Sequence, residues 1–222
     1  MNEIPLFIFK FSPVPLVAAC VVGLVRYRRY EAVRRYLSWL SWLALLVTVV
    51  AMWFRHHHRP NLFLAPIDTA IEFTLLGLMY RRALWPLAVA RYLPVGISLF
   101  VVGTALTYQP RLGTVEFSPV QHFIESVAVL ALVLLYYRRV LSTRPVSLAP
   151  LEREPMFWVS AGVLLYFSAS SLIFLTSNLA LFHSQELSIN LWAIHALLYA
   201  FLNGFYIVAL CLPPRPAGIT QS

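Results

Sequence analysis

The chain has 222 residues, is 60% hydrophobic and only 12% charged, whereas a water-soluble domain carries about 25% charge. Length and hydropathy fit one membrane domain and leave no room for a kinase, nucleotide-binding or DNA-binding module, so signalling would need a partner. The net charge of +8 is almost wholly arginine, with Lys10 the only lysine. Basic residues in short loops between apolar runs suit an anionic inner leaflet and membrane lipids; nucleic acid is not an expected partner.

Seven runs of roughly 19 to 25 residues are each long enough to cross a hydrocarbon core as a helix. They are read at 4–25, 36–54, 62–80, 84–108, 119–137, 156–178 and 188–212. Continuous apolar runs favour helices over the alternation of a barrel, and helices satisfy their own backbone in lipid. The expected fold is therefore an all-α membrane protein, a single seven-helix transmembrane domain spanning residues 1–222.

The first run contains Pro13, Pro15 and Cys20. Val17-Ala18-Ala19-Cys20 matches a lipoprotein cleavage box, but the preceding stretch is short and broken by prolines, so an uncleaved first helix is the better reading. Cys20 and Cys211 lie near the inner ends of their runs, where a reducing compartment disfavours a disulfide. The first loop holds Arg26, Arg28, Arg29, Arg34 and Arg35, the third Arg81 and Arg82, the fifth Arg138, Arg139, Arg144 and Arg153, and the tail Arg215. The alternate loops are poorer: Arg55 and Arg59, then Arg111, then none in 179–187. The positive-inside rule places the rich set in the cytoplasm, with the N-terminus outside and the C-terminus inside a bacterial cytoplasmic (inner) membrane. The run His56, His57 and His58 reads as a solvated outer loop, and Arg91 as a snorkelling residue.

On the third run, Asp68 and Glu72 are four apart and share one face, about 9 and 15 Å below the outer end at 1.5 Å per residue. Two carboxylates so close disfavour double ionisation. Pro66, two residues before Asp68, is expected to open that turn. Ser118-Pro119-Val120-Gln121 reads as a capping box at the start of the fifth run. His122, Glu125 and Ser126 then occupy i, i+3 and i+4 on one face, roughly 5 to 11 Å deep. The sixth run offers Ser160, Phe167, Ser171, Phe174 and Asn178 on one stripe, a pattern that also serves close helix packing. Seven residues into the seventh run is His195, followed by Tyr199, Asn203 and Tyr206 along its face.

Ionisable side chains within apolar spans are costly and point to function. The candidate ligand-binding or proton-sharing residues are thus Glu72, Glu125, His195, His122, Asp68, Ser126 and Asn203, forming a polar pocket in the outer half of the bilayer. His122, His195 and Glu72 could hold a divalent metal such as zinc, with Glu125 as base for a bound water. Interhelical hydrogen bonding is the plainer role for each histidine alone. No serine stands in a nucleophile context, and the lone Lys10 is misplaced for a retinal Schiff base. No catalytic residue is assigned.

Phe157-Trp158, Leu164-Leu165-Tyr166-Phe167-Ser168, and 191–198 followed by Asn203 resemble a group of small, uncharacterised bacterial seven-helix membrane proteins with no established activity. Ile71-Glu72-Phe73 and Ile124-Glu125-Ser126 match the same group. The resemblance implies the seven-helix fold and draws attention to Glu72, Glu125 and His195. Tyr199 stands where that group's pattern has Asn. Three functions are compatible with these residues: a receptor-like or sensory module acting through a signalling partner, a metal-dependent hydrolase of a lipid-like substrate, and a proton-coupled transporter.

Overall fold

The computed structural model describes residues 3–108, 119–143 and 150–213, with side chains omitted at 119, 143 and 177–183. Within these limits the fold is all-helical: α1 (Glu3–Phe11), α2 (Pro13–Arg26), α3 (Ala32–His56), α4 (Ala65–Leu84), α5 (Ala88–Thr107), α6 (Pro119–Thr143), α7 (Pro155–His183) and α8 (Gln185–Cys211). Because α1 and α2 continue one another, the described residues form seven helical stretches long and apolar enough to cross a membrane. The seven runs seen in the sequence are these stretches, with shifted ends. Leu84 closes α4 rather than opening α5, and α7 runs on to His183, so Ser184 alone separates it from α8. Arg111, Arg144, Arg215, Ser118 of the capping box and the side chain of Asn178 lie outside what is described.

Local chemistry explains several boundaries. Pro13 has no N–H to continue the ladder from α1, so a new helix begins there with proline at its first turn. Pro66 likewise falls in the first turn of α4. Its missing N–H is one of the donors a helix start leaves unpaired in any case, so the expected opening near Asp68 does not occur. The histidine run is exposed, as a solvated segment should be, but it also closes α3, with His56 as its last residue and His57 and His58 in the turn that follows. His58 adopts φ 53°, its N–H donates to the Arg55 carbonyl at 3.0 Å, and the Arg59 N–H donates to Phe54 at 2.9 Å. This is a Schellman cap with histidine where glycine is usual.

Six stretches close into a ring, α2 to α3 to α4 to α6 to α7 to α8 and back to α2, while α5 stands outside, packed on α4. The largest interface joins α7 and α8. There Gly162 admits close approach, since a Cβ would meet the Phe205 Cβ at 2.8 Å. The core gathers Leu76, Tyr80, Val133, Val163, Phe167 and Leu210. Large apolar side chains such as Val25, Leu99 and Leu106 face outwards at 78%, 68% and 81% exposure, a coat that suits hydrocarbon and not water.

At the arginine-rich end the last turn of α8 is clasped by the end of α2, the α2–α3 connection and the first turn of α3. Arg26 Nη1 donates to the Cys211 carbonyl (2.8 Å), the Tyr30 hydroxyl to Leu210 (2.9 Å) and Arg34 Nη1 to Leu212 (2.7 Å). The last carbonyls of a helix have no internal partners and carry the negative end of its dipole, so cations are well placed there. Arg34 is buried, pairs with Glu31 at 3.2 Å and lies over the Tyr30 ring. Burial among these groups holds the Tyr30 phenol above its ordinary value, with Arg26 and Arg34 working against that shift.

Candidate functional site

A cavity of about 180 Å³ lies between α3, α4, α7 and α8. Helix α4 supplies Asp68 and Glu72, one turn apart on one face, and α8 supplies His195, Tyr199, Asn203 and Tyr206. Tyr166 of α7 and Ser41 and Thr48 of α3 complete the polar wall, with Leu40, Ala44 and Leu202 between them. Asp68 and Glu72 are half-buried and both line the cavity. From His195 to Tyr206 the wall extends roughly 16 Å along α8 at the helical rise. The cavity is therefore longer than one turn-deep recess near the histidine end.

Supply and demand of hydrogen bonds do not match along this wall. His195 Nδ1 and the Tyr206 hydroxyl are buried without a hydrogen-bond partner. Buried polar atoms are almost always paired, so such orphans mark a place where something else is bound or exchanged. Asn203 is buried and donates to the Tyr199 carbonyl at 2.8 Å, which leaves its amide oxygen as further acceptor capacity. Among the described residues no arginine or lysine forms an ion pair with Asp68 or Glu72.

The α6 group stands beside this wall rather than in it. His122 Nδ1 is 3.5 Å from Glu125 Oε2, and its ring lies within 3.0 Å of the Thr69 hydroxyl. Thr69 gives its single proton to the Ala65 carbonyl at 2.8 Å, so its oxygen accepts from an imidazole N–H. Ser126 donates to the His122 carbonyl at 2.7 Å, a bond within its own helix. Glu125 is 1% exposed and neither oxygen has a hydrogen-bond partner. It is within electrostatic reach of Asp68 and Glu72. The two halves of the constellation meet at Phe174, whose ring stacks on His122 (4.5 Å) and meets His195 edge-on (5.1 Å).

The sequence-level candidates thus divide. Asp68, Glu72, His195 and Asn203 share the cavity; His122, Glu125 and Ser126 form a neighbouring cluster. Among the described residues, no three His, Cys, Asp or Glu side chains are grouped to hold a metal ion, and this includes the set His122, His195 and Glu72. Thr69, Ser41 and Thr48 are not among the residues the sequence points to, and Tyr166 figures there only within the Leu164–Ser168 motif of the resemblance. Ser41 and Thr48 are seven apart, two turns on one face of an apolar run, and that spacing was a readable signal. Thr69 offered none, because a threonine bonding back to its own helix is commonplace.

A second hollow of about 460 Å³ between α3, α4 and α5 is lined by Pro66, Ile67, Ala70 and Ile71 among others, and offers shape without chemistry. Compared with known proteins, no family model, no curated protein and no solved structure matches this chain. Function must be argued from the residues themselves.

Proposed function

We propose that this chain is a multi-pass inner-membrane protein, N-terminus outside and C-terminus cytoplasmic, that works as a receptor-like sensory module through a partner. The observation that carries the reading is the cavity that brings together Asp68, Glu72, His195 and Tyr206, the last two each with an orphaned polar atom. A volume of about 180 Å³ exceeds the roughly 150 Å³ that accommodates a benzene-sized guest, so the site suits one small molecule or a short chain of waters.

Occupancy would bridge α4 to α8, because the acidic pair is on one and His195 and Tyr206 on the other. The far end of α8 is held by Arg26, Tyr30 and Arg34. A shift of α8 would therefore reach the 26–35 connection, which the proposed orientation places where a cytoplasmic partner can read it. Ligand binding moves such an equilibrium only by its differential affinity for two arrangements.

The test uses the full chain in liposomes, exposed to a small-molecule extract of its host, with hydrogen exchange read at residues 26–35. The extract should change exchange there in the wild type and not in Glu72→Gln, while the composition of the extract stays constant. Conversion of a component to product would replace the sensory reading with an enzyme. Accumulation of a component inside the vesicles, dependent on a pH gradient, would replace it with transport. The metal-dependent hydrolase is less well supported, since the described residues offer no grouped ligand set.

A further inference from the structure

We propose that the cavity's occupant is a small organic ammonium ion, held by the Asp68 and Glu72 carboxylates and enclosed by the rings of Tyr166, Tyr199 and Tyr206. This rests on the ligand-binding reading above and names the ligand class for it.

The charge of the wall comes first. Its two carboxylates lie one helical turn apart, and among the described residues no lysine or arginine pairs with either. Within a bilayer an uncompensated carboxylate is strongly disfavoured. A guest bearing one positive charge supplies the missing partner, whereas an anion would add to the imbalance. One ionised and one neutral carboxyl around a monocation leaves the site without net charge.

The second observation is independent of the acids. Tyr206, only 3% exposed, is one of the residues around the cavity and its enclosed hydroxyl has no partner, and the enclosed Nδ1 of His195, another of those residues, is likewise orphaned. A primary ammonium group has three N–H donors. It can give one to a carboxylate and others to acceptors such as the Tyr206 oxygen and an unprotonated Nδ1. The third is the aromatic lining. The Tyr166 ring lies 5.6 Å from His195 and 6.0 Å from Tyr199, and tyrosine faces attract cations through the ring quadrupole. A bare metal ion uses neither the aromatic faces nor most of a 180 Å³ space; an organic cation with a small apolar body uses both.

The experiment is equilibrium dialysis of the full chain in nanodiscs against benzylammonium and, in parallel, its neutral near-isostere benzyl alcohol. Benzylammonium should bind about tenfold or more tightly than the alcohol, because a charge-assisted hydrogen bond and cation–π contact are lost with the charge. Glu72→Gln should weaken benzylammonium about tenfold and leave the alcohol unchanged. Ser168→Ala, an exposed position on α7, should behave as wild type. Asp68→Asn provides a second variant should Glu72→Gln alter the helical content or thermal midpoint. Equal affinity for amine and alcohol, or amine binding indifferent to both acidic substitutions, overturns the proposal. The two readings separate cleanly. An exchange response to extract with no preference for ammonium leaves a sensor with another ligand. Specific ammonium binding with a silent 26–35 segment leaves the site and removes the sensor.

Discussion

At the scale of single residues, Glu125 is a group whose burial is costly. Its carboxyl is fully enclosed, both oxygens lack hydrogen-bond partners, and the nearest imidazole nitrogen stands at 3.5 Å. A buried polar group left unpaired costs about 1–3 kcal/mol. Glu125→Leu, which keeps the volume, should therefore raise stability by about 1–3 kcal/mol, read as a higher thermal midpoint in detergent. A lower midpoint would mean that the carboxyl makes a bond in the folded protein that these contacts do not contain. Its neighbours Glu72 and Asp68 differ because they face a cavity that can bring them a partner. The acids and histidines were all legible as costly residues in apolar runs. Their division into a cavity wall and an adjoining cluster was not, since one face of one helix says nothing about which neighbour it meets. Phe174 joins the two by contacting both imidazoles, and one phenylalanine in an apolar stripe carries no mark of such a role.

At the scale of elements, the clasp on α8 shows residues of α2, α3 and the turn between them completing another helix. The buried guanidinium of Arg34 bonds the Leu212 carbonyl and Glu31 while stacking on Tyr30. Lysine keeps the charge but not the planar fork or the stack. Arg34→Lys should fray the last turn of α8, seen as faster amide exchange there at unchanged overall helicity; unchanged exchange would show that Arg26 and Tyr30 suffice. Tyr30 adds a pH signature. Its phenol titrates above the ordinary value of 10.0 in the folded chain. The stability it carries is full below pH 10 and is lost as the pH rises through the folded value. Tyr30→Phe should lessen the alkaline fall in stability relative to wild type, and identical curves for the two would refute the assignment. Sequence reading found this arginine cluster but assigned it wholly to topology. That several of these residues also cap a helix from the far end of the chain depends on tertiary contact, which charge counting does not see.

At the scale of the whole molecule, seven apolar runs were enough to read the number of helical stretches, because length and continuity are properties of the chain alone. Their arrangement was not readable: nothing local to 88–107 says that α5 packs outside the ring on α4. The orientation proposed above has a direct check. A fluorescent reporter fused after residue 222 should fold and glow, while a reporter active only outside the inner membrane should be silent there; the opposite pattern would invert the protein and place Arg26 to Arg35 outside. The clasp between that segment and α8 has a further consequence, for how the ring is held shut. Its three acceptors are carbonyls of Leu210, Cys211 and Leu212, lying 180, 185 and 178 residues from their donors, and α1 and α2 also pack on α8. The seam of the ring is thus made by residues far apart in the chain, so cutting the backbone between them would leave the two edges of the seam joined by side-chain bonds and packing.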